Sequence, residues 1–318
     1  MSDRLGHPLA QPLFDQLTLI GVGLIGSSLA RVARRQNLAK TIVAIDSSEA
    51  ARERISELKL ADIVTGDYAE GVRNADCVIL CVPVGACGSV TEMIAATLKP
   101  GAILSDVGSV KGAIVSQVEP HLPKYVHFVP AHPVAGTEQS GPDAGFATLF
   151  NNRWCILTPP EGTNTDAVAR LRLFWEGVGS NVEEMSPAHH DLVLAITSHL
   201  PHLIAYNIVG TAADLEAVTQ SEVIKFSAGG FRDFTRIAAS DPTMWRDVFL
   251  NNKEAVLEML GRFTEDLSAL QRAIRWGDGE ALFDHFTRTR AIRRSIIEIG
   301  QDSATPDFGR QPKDDPAQ

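Results

Sequence analysis

A glycine-rich segment, GVGLIG at residues 21–26, has the spacing of a turn that binds the phosphates of a dinucleotide. The first glycine permits a tight turn, the second lets a pyrophosphate approach the backbone, and the third lets a helix pack closely on a strand. An apolar strand pattern precedes the segment and a helical pattern follows it, so the free N–H groups of that helix would face the phosphates. We favour this interpretation over an ordinary tight turn. The predicted cofactor residues here are Gly21, Gly23, Leu24, Ile25 and Gly26.

A carboxylate follows the next apolar segment, because TIVAID ends at Asp46. An acidic residue about 20 positions after a glycine turn can accept hydrogen bonds from the adenine ribose hydroxyls, and it would repel a 2′-phosphate. The next residue is Ser47 rather than an arginine. Asp46 therefore predicts NAD in preference to NADP; the alternative is an aspartate that only caps a helix. We also assign Val82, which ends the apolar run DCVILCV, and Ser109 to the cofactor site.

His132 opens the loop AHPVAGTEQSG, which follows the apolar run VHFVPA. A zinc site would need further ligands at suitable spacing. Four histidines are available, namely His189, His190, His199 and His202. Because Pro201 interrupts a regular helical face, we predict no metal and favour a catalytic base beside a nicotinamide over a structural imidazole. With an unperturbed pKa of about 6.5, such a base would become active as the pH rises through that value.

Two further segments carry candidate site residues. SDVGSVKG follows an apolar strand pattern, and Ser109 and Lys111 within it could face the site; the alternatives are a capping serine and a solvated lysine. GGFRDFTRIAASDPTMWRD supplies two arginines, Arg232 and Arg236. A guanidinium can hold a carboxylate through two parallel hydrogen bonds. The alternative for either arginine is a surface ion pair with Asp233 or Asp241.

The elements that must position these residues alternate between strand and helix in the first half of the chain. The strand patterns are continuous apolar runs, as expected for parallel strands that are buried on both faces. They begin with 17–22, 41–46, 76–82 and 102–107, and continue with 126–131 and 154–160. Helical patterns lie at 24–36, after Ser47 or Ser48 as the N-cap, and at 165–177. This alternation predicts a doubly wound α/β domain of the Rossmann type, and we assign residues 1–185 to it.

The second half of the chain is predicted to be helical. Ser186 and Pro187 form a good helix start, and Pro201 is expected to bend the helix that follows. A helix from about Thr243 to Ile274 is too long and too widely apolar for one small domain to cover, which predicts a homodimer. We assign 186–301 to an all-α dimerisation and substrate domain, and 302–318 to a disordered tail.

Composition bounds the class of protein. The 318 residues are 44% hydrophobic and 21% charged, with a net charge of −10, so we expect a soluble protein without a nucleic-acid partner. No apolar run approaches the roughly 18 residues of a membrane span, and no secretory signal is evident, so we expect a cytoplasmic location and no membrane partner. The four cysteines are predicted to be buried thiols rather than disulfides or zinc ligands, namely Cys77, Cys81, Cys87 and Cys155.

The combination of motifs is more specific than any one of them. GVGLIGSSLA, DVGSVK, HPVAGTEQSG, SHLPH and GGFRDFTRIAASDPTMWRD occur in this order. Together they closely resemble the prephenate dehydrogenase family, which includes arogenate and cyclohexadienyl dehydrogenases. The resemblance runs from about residue 16 to 300, and HPVAGTE and FRDFTRIAASDP are its most distinctive parts. We expect neither a chorismate mutase domain nor a regulatory domain after residue 300.

The resemblance implies an NAD(P)-dependent oxidative decarboxylation in tyrosine biosynthesis. The small-molecule substrate would be prephenate, giving 4-hydroxyphenylpyruvate, or arogenate, giving tyrosine, and the residues leave this choice open. The family pattern places the catalytic histidine at His132, its partnering serine at Ser109 and the anchor of the substrate carboxylate at Arg236. Further positions that line or support the family's site are Thr137, Glu138, His199, His202, Gly229, Asp233 and Trp245. The family also implies a helical dimerisation domain.

Two other functions remain open from the sequence. A β-hydroxyacid dehydrogenase would pair a similar first domain with a helical second domain, and would use Lys225 or Lys253 as its base. A non-catalytic NAD sensor would bind the cofactor tightly without turning over either substrate.

Overall fold

The computed structural model describes residues 8–219, 225 and 229–298. The chain divides into two compact units. The first contains the residues up to Ile204 together with Ile237–Val256, and the second contains Ala205–Arg236 and the residues from Leu257 onward. The predicted domain boundaries stay predictions, and the predicted disordered tail, 302–318, lies outside the described residues.

A six-stranded parallel sheet forms the centre of the first unit, with the strand order β3-β2-β1-β4-β5-β6. Its strands are β1 (Phe14–Ile20), β2 (Ala39–Ile45), β3 (Ile63–Thr65), β4 (Cys77–Leu80), β5 (Ile103–Asp106) and β6 (His127–Phe128). The helices between them are α1 (Leu24–Arg35), α2 (Glu49–Glu57), α3 (Tyr68–Val72), α4 (Cys87–Ile94) and α5 (Gly112–Val118). This strand order is that of the Rossmann fold, which confirms the predicted fold class.

The later strands do not extend this sheet, contrary to the single series that the sequence suggested. Pro130 follows the short β6 and has no N–H to continue a ladder, and the chain then enters a second, three-stranded sheet. Its strands are β7 (Ala131–Pro133), β8 (Trp154–Leu157) and β9 (Asn181–Glu184). β7 is antiparallel to β8, and β8 is parallel to β9. His132 therefore lies within β7 rather than just after a strand of the first sheet.

One buried cluster joins the two sheets. It includes Leu17 and Leu19 of β1, Cys155 and Leu157 of β8, and Trp175 of α6 (Thr165–Gly177). Removing such apolar side chains from water stabilises the fold by about 25 cal/mol for each Å² that is buried. The shared core fixes β7 and β8 against the first sheet, and so fixes the position of His132.

The rest of the described chain is helical, as predicted. The helices are α7 (Pro187–Leu194), α8 (Leu200–Thr219), α9 (Gly229–Thr235), α10 (Pro242–Asn251), α11 (Lys253–Trp276) and α12 (Gly279–Glu298). Ser186 caps α7, because its hydroxyl accepts a hydrogen bond from the N–H of His189. A π-helical turn, Ala195–His199, joins α7 to α8 just before Pro201. Such a wider turn is one way in which a helix accommodates a residue that cannot donate its backbone hydrogen bond.

The long helix predicted from Thr243 to Ile274 is interrupted at Asn252, which ends α10 with φ −115° and ψ 36°. The side-chain amide of Asn252 donates to the carbonyl oxygen of Asp191 at 2.8 Å. This contact between distant parts of the chain explains why the sequence pattern alone gave one helix instead of two.

One described helical segment, Pro187–Leu215, is long and apolar enough by length and composition to cross a membrane. A single helix of this kind does not indicate a membrane span, since core helices of soluble proteins have the same length and composition. Its first half carries three polar side chains that are buried in the first unit, those of His190, Asp191 and His199. The expected cytoplasmic location, and the expected lack of membrane and nucleic-acid partners, stay predictions.

Candidate active site

The glycine turn between β1 and α1 has the geometry that a bound phosphate requires. Gly21 has a φ of 83°, which favours glycine, and a Cβ on Gly26 would lie 2.7 Å from the carbonyl oxygen of Gly21. A Cβ on Gly23 would meet open space, and no side chain caps the start of α1. The backbone N–H groups there can therefore take an anionic ligand. Leu24 and Ile25 form the half-buried first turn of α1.

Asp46 and Val82 lie at the same turn. The Oδ2 atom of Asp46 accepts a hydrogen bond from the N–H of Val22 at 3.2 Å, and its Oδ1 atom accepts one from Ser48 at 3.0 Å. Ser48, one of the two predicted caps, accepts from the N–H of Ala51 at the start of α2. A Cβ on Gly21 would lie 2.9 Å from Cγ1 of Val82, so that side chain covers the turn.

His132 is almost buried, with 7% of its surface exposed, and it belongs to a chain of three side chains. Its Nδ1 atom lies 2.8 Å from Nε2 of His190, and Nδ1 of His190 lies 2.8 Å from Oδ1 of Asp191. The Asp191 carboxylate also accepts the backbone N–H groups of Lys111 and Gly112, each at 2.8 Å. These bonds connect β7 to α7 and to the start of α5.

A buried ion pair holds the backbone beside His132. The side chains of Lys111 and Asp106 are fully buried and paired. The Lys111 ammonium donates to the carbonyl oxygen of Ala131 at 2.7 Å, and the N–H of Ala131 donates to Oδ1 of Asp106 at 3.3 Å. Lys111 is thus neither a solvated lysine nor a group facing a cleft, because its ammonium is satisfied inside the fold.

The surroundings of His132 lower its pKa well below the ordinary value for histidine. Burial is the largest cause, and the nearby His190, Lys111 and His199 also disfavour a positive charge. The expectation of an unperturbed pKa is therefore wrong. A neutral imidazole at neutral pH can accept a proton, which a general base must do.

A second buried imidazole, that of His199, joins the same network. Nδ1 of His199 accepts a hydrogen bond from the Asn252 amide at 3.0 Å. Burial lowers the pKa of His199 to about 4, although Asp191 and the backbone of Ser109 oppose the shift. Ser109, half-buried in the loop after β5, is thereby placed beside His199.

Two predicted site residues, His202 and Trp245, stack on each other. Their ring centroids are 3.6 Å apart and their planes differ by 23°. The His199 ring meets the same indole edge-on at 6.1 Å. Nδ1 of His202 donates to the carbonyl oxygen of Ser198 at 2.8 Å, which fixes the orientation of the ring.

The remaining predicted residues belong to a loop and to the second unit. Thr137 and Glu138 are exposed in the loop after β7. The second unit contains Gly229 and Asp233 of α9 together with Arg236, whose side chain is exposed. Their roles stay predictions.

The ion pair considered for Arg232 is present, with 3.7 Å between its Nε atom and the Asp233 carboxylate. The lysines of the alternative mechanism, Lys225 and Lys253, have exposed side chains.

Sequence reasoning missed four members of the network, namely Asp106, His190, Asp191 and Asn252. His190 was considered only as a zinc ligand. The doublet of His190 and Asp191 in the first turns of a predicted helix was a usable signal, because charged side chains are rarely buried unless they are paired. In the part of the chain that the structure describes, no three His, Cys, Asp or Glu side chains converge as a metal-binding group.

The cysteines are free thiols, and the prediction of burial is confirmed for Cys77, Cys87 and Cys155, while Cys81 is half-buried. Burial raises the pKa of the Cys87 thiol to about 12. A thiol with such a pKa is unreactive at neutral pH.

Two family models match consecutive parts of the chain. The nucleotide-binding domain of prephenate dehydrogenase matches residues 29–184, and its dimerization domain matches residues 186–288. The chain belongs to the prephenate dehydrogenase family. The resemblance drawn from the motifs is confirmed, and with it the assignment of the chain as a dehydrogenase. The predicted homodimer agrees with the description of the second model.

Relatives of known name from this family cover nearly the whole chain. Cyclohexadienyl dehydrogenase of Zymomonas mobilis is 44% identical over 89% of this chain and 97% of its own length. Prephenate dehydrogenase of Bacillus subtilis is 34% identical over 92% of this chain and 79% of its own length.

Solved structures agree with this assignment. Prephenate dehydrogenase from Aquifex aeolicus, in complex with hydroxyphenyl propionate and NAD+, is 34% identical with a TM-score of 0.83 and covers 91% of this chain and 99% of its own. Arogenate dehydrogenase of Synechocystis is 28% identical with a TM-score of 0.76, over 88% of this chain and 99% of its own.

Proposed function

We propose that this protein catalyses the NAD-dependent oxidative decarboxylation of prephenate, of arogenate, or of both. The observation that carries the proposal is the buried His132, which is held by His190 and by the backbone contacts of Ala131, and whose pKa is lowered by burial. The reaction needs a base at the ring hydroxyl of the substrate. With a lowered pKa, His132 is unprotonated at neutral pH, as a base must be.

The substrate, the cofactor and the protein have separate roles in the reaction. NAD, when bound, accepts the hydride that leaves ring carbon C4. His132 takes the proton of the C4 hydroxyl, so that the oxygen becomes the product's ring oxygen. The bond between the ring and its carboxylate then breaks, carbon dioxide leaves, and the electron pair of that bond completes an aromatic ring. The ring oxygen takes back the proton held by His132, which restores the base. The protein supplies a positioned base and an anchor for the substrate carboxylate.

The cofactor is NAD. The uncapped start of α1 and the open face at Gly23 fit a pyrophosphate, and the Asp46 carboxylate lies at that turn. A carboxylate at this position suits a free ribose hydroxyl and repels a phosphate on it. The NAD+ complex of the Aquifex aeolicus enzyme supports the same assignment.

One assay tests the proposed function. Purified protein is given NAD or NADP, each in combination with prephenate or arogenate, and reduced cofactor and carbon dioxide are measured together. We expect reduced cofactor and carbon dioxide to form in equal amounts, and NAD to be preferred over NADP. Comparing the two substrates shows whether the keto or the ammonium form of the side chain is accepted. No turnover under all four conditions would contradict the proposal and favour the NAD sensor.

We propose Arg236 as the residue that anchors the side-chain carboxylate common to prephenate and arogenate. The substrate is anionic and the protein has a net charge of −10, so a local cation must offset both repulsion and desolvation. A hydrogen bond to a charged group contributes about 1.5–3 kcal/mol, or roughly 10- to 150-fold in affinity. Arg236→Gln is therefore expected to raise the substrate KM by at least that factor while leaving the KM for NAD unchanged.

The matched control is Arg232→Gln, because Arg232 is an exposed arginine of the same segment that pairs with Asp233. We expect it to leave the KM for both substrates close to that of the wild type. An unchanged substrate KM in Arg236→Gln, combined with a lower thermal stability, would show that Arg236 is only a structural residue.

A further inference from the structure

The Asp191 carboxylate determines which nitrogen of His190 carries its proton. Backbone N–H groups donate to both of its oxygens, and together with His190 they hold the pKa of Asp191 below its usual range although burial opposes this. An ionised carboxylate only accepts hydrogen bonds. Nδ1 of His190, at 2.8 Å, must therefore be the donor.

This assignment extends to His132. Burial lowers the pKa of His190, so its ring is neutral near pH 7, and with a proton on Nδ1 its Nε2 atom can only accept. Nδ1 of His132 lies 2.8 Å from that Nε2 atom and must donate to it. The neutral His132 ring then has no proton on Nε2, which is the nitrogen left to accept one.

The direction of the His132 ring is fixed as well as its tautomer. The two contacts of Ala131 with Lys111 and Asp106 hold the adjoining backbone, and the ring planes of His132 and His190 meet at 67° with centroids 5.0 Å apart. Free histidine can exchange its proton between the two nitrogens, and only one of the resulting tautomers presents a basic Nε2.

We propose that His190, oriented by Asp191, is a positioning residue that fixes the Nδ1–H tautomer of His132 and so keeps its Nε2 atom basic. This rests on the proposed function in that His132 is the base, but the tautomer itself is a property of the protein alone. When His132 accepts the proton, the hydrogen bond to His190 and the negative charge of Asp191 stabilise the resulting imidazolium.

The test compares two substitutions of His190. Leucine removes the acceptor, whereas the amide oxygen of glutamine can accept from His132 while its NH₂ group donates to Asp191. Nitrogen-detected NMR of isotope-labelled histidine reports the tautomer of His132 directly. We expect Nδ1–H in the wild type and in His190→Gln, and Nε2–H in His190→Leu.

Kinetics form the second readout. His190→Leu is expected to lower kcat by roughly 10- to 100-fold, which is the loss seen when partners that orient a metal-bound histidine are removed. His190→Gln should recover most of this loss, and neither variant should change the KM for NAD. The control His189→Leu alters an exposed histidine on the same helix and should leave both readouts unchanged.

The proposal is overturned if wild-type His132 carries its proton on Nε2, or if His190→Leu and His190→Gln lose equal activity while the tautomer stays the same. Should His190→Leu fail to fold, the wild-type tautomer and the His190→Gln variant still decide the outcome. If the wild type turns over neither prephenate nor arogenate, the proposed function fails, and the NMR measurement still determines whether His190 fixes the tautomer.

Discussion

Replacing His132 with asparagine is expected to lower kcat by about 10²–10⁴-fold, the usual contribution of a positioned general base. Asparagine cannot take the hydroxyl proton, so the substrate must lose it to water. The KM for NAD should hardly change, because the glycine turn does not depend on the imidazole. Steady-state kinetics with saturating NAD measures the effect. His189→Asn, at an exposed histidine of α7, is the control for the change in residue type.

The role of His132 as a base also predicts the direction in which activity changes with pH. Protonated His132 cannot accept a proton. The value of kcat/KM must therefore fall as the pH falls through the pKa of His132, and it must reach its maximum above that pKa. The His190, Lys111 and His199 side chains that face His132 add to the effect of burial in lowering that pKa. The acid limb should therefore lie below the ordinary histidine value of about 6.5. A limb centred above that value, or a His132→Asn variant within a few-fold of the wild type, would remove His132 from the mechanism.

Replacing Lys111 with methionine is expected to reduce the free energy of unfolding by about 3–5 kcal/mol, the cost of leaving one partner of a buried ion pair without the other. The Asp106 carboxylate is fully buried and would retain only the N–H groups of Gly108 and Ala131. Methionine fills most of the volume of the lysine stem, so the loss reflects charge rather than a cavity. Urea unfolding at a fixed protein concentration measures it.

A second lysine provides a matched control for this substitution. Lys99 pairs with Asp76 at 2.5 Å, but its side chain is 34% exposed. Partly solvated pairs contribute about 0–1 kcal/mol, so Lys99→Met should cost far less than Lys111→Met. Equal losses in the two variants would show that the Lys111–Asp106 pair has no special role in holding the strand of His132.

Much of the first unit could be predicted because its signals are local. Strands buried on both faces give continuous apolar runs, and a glycine such as Gly21 or Gly26 is required by backbone conformation or by close packing. The caps at Ser48 and Ser186 follow from the same kind of local rule. His132, His202 and Trp245 were predicted as site residues through motifs that the family shares, but the stacking of His202 on Trp245 was not predicted.

The network around His132 could not be predicted because it depends on contacts between distant segments. In the sequence, Asp106 is only the end of a strand and Lys111 resembles a surface lysine. In the structure, both bind the backbone of Ala131, which lies 25 residues after Asp106 and 20 residues after Lys111. The break at Asn252 is stabilised by Asp191, 61 residues earlier in the chain, which no helical periodicity can reveal. The same holds for the second sheet, whose start follows from Pro130 and from its pairing with β8.

The π-helical turn at Ala195–His199 makes the arrangement of the histidines around it sensitive to the loss of one residue. A π-turn holds one residue more than an α-helical turn, so a single-codon deletion at 195–198 would leave a continuous α-helix. Each residue of an α-helix advances the side chains by about 100°. Such a deletion would turn His199 and His202 away from their present directions relative to His190, without removing any of the three. Relatives with a gap at this turn would therefore keep every histidine in the alignment and still have a rearranged site.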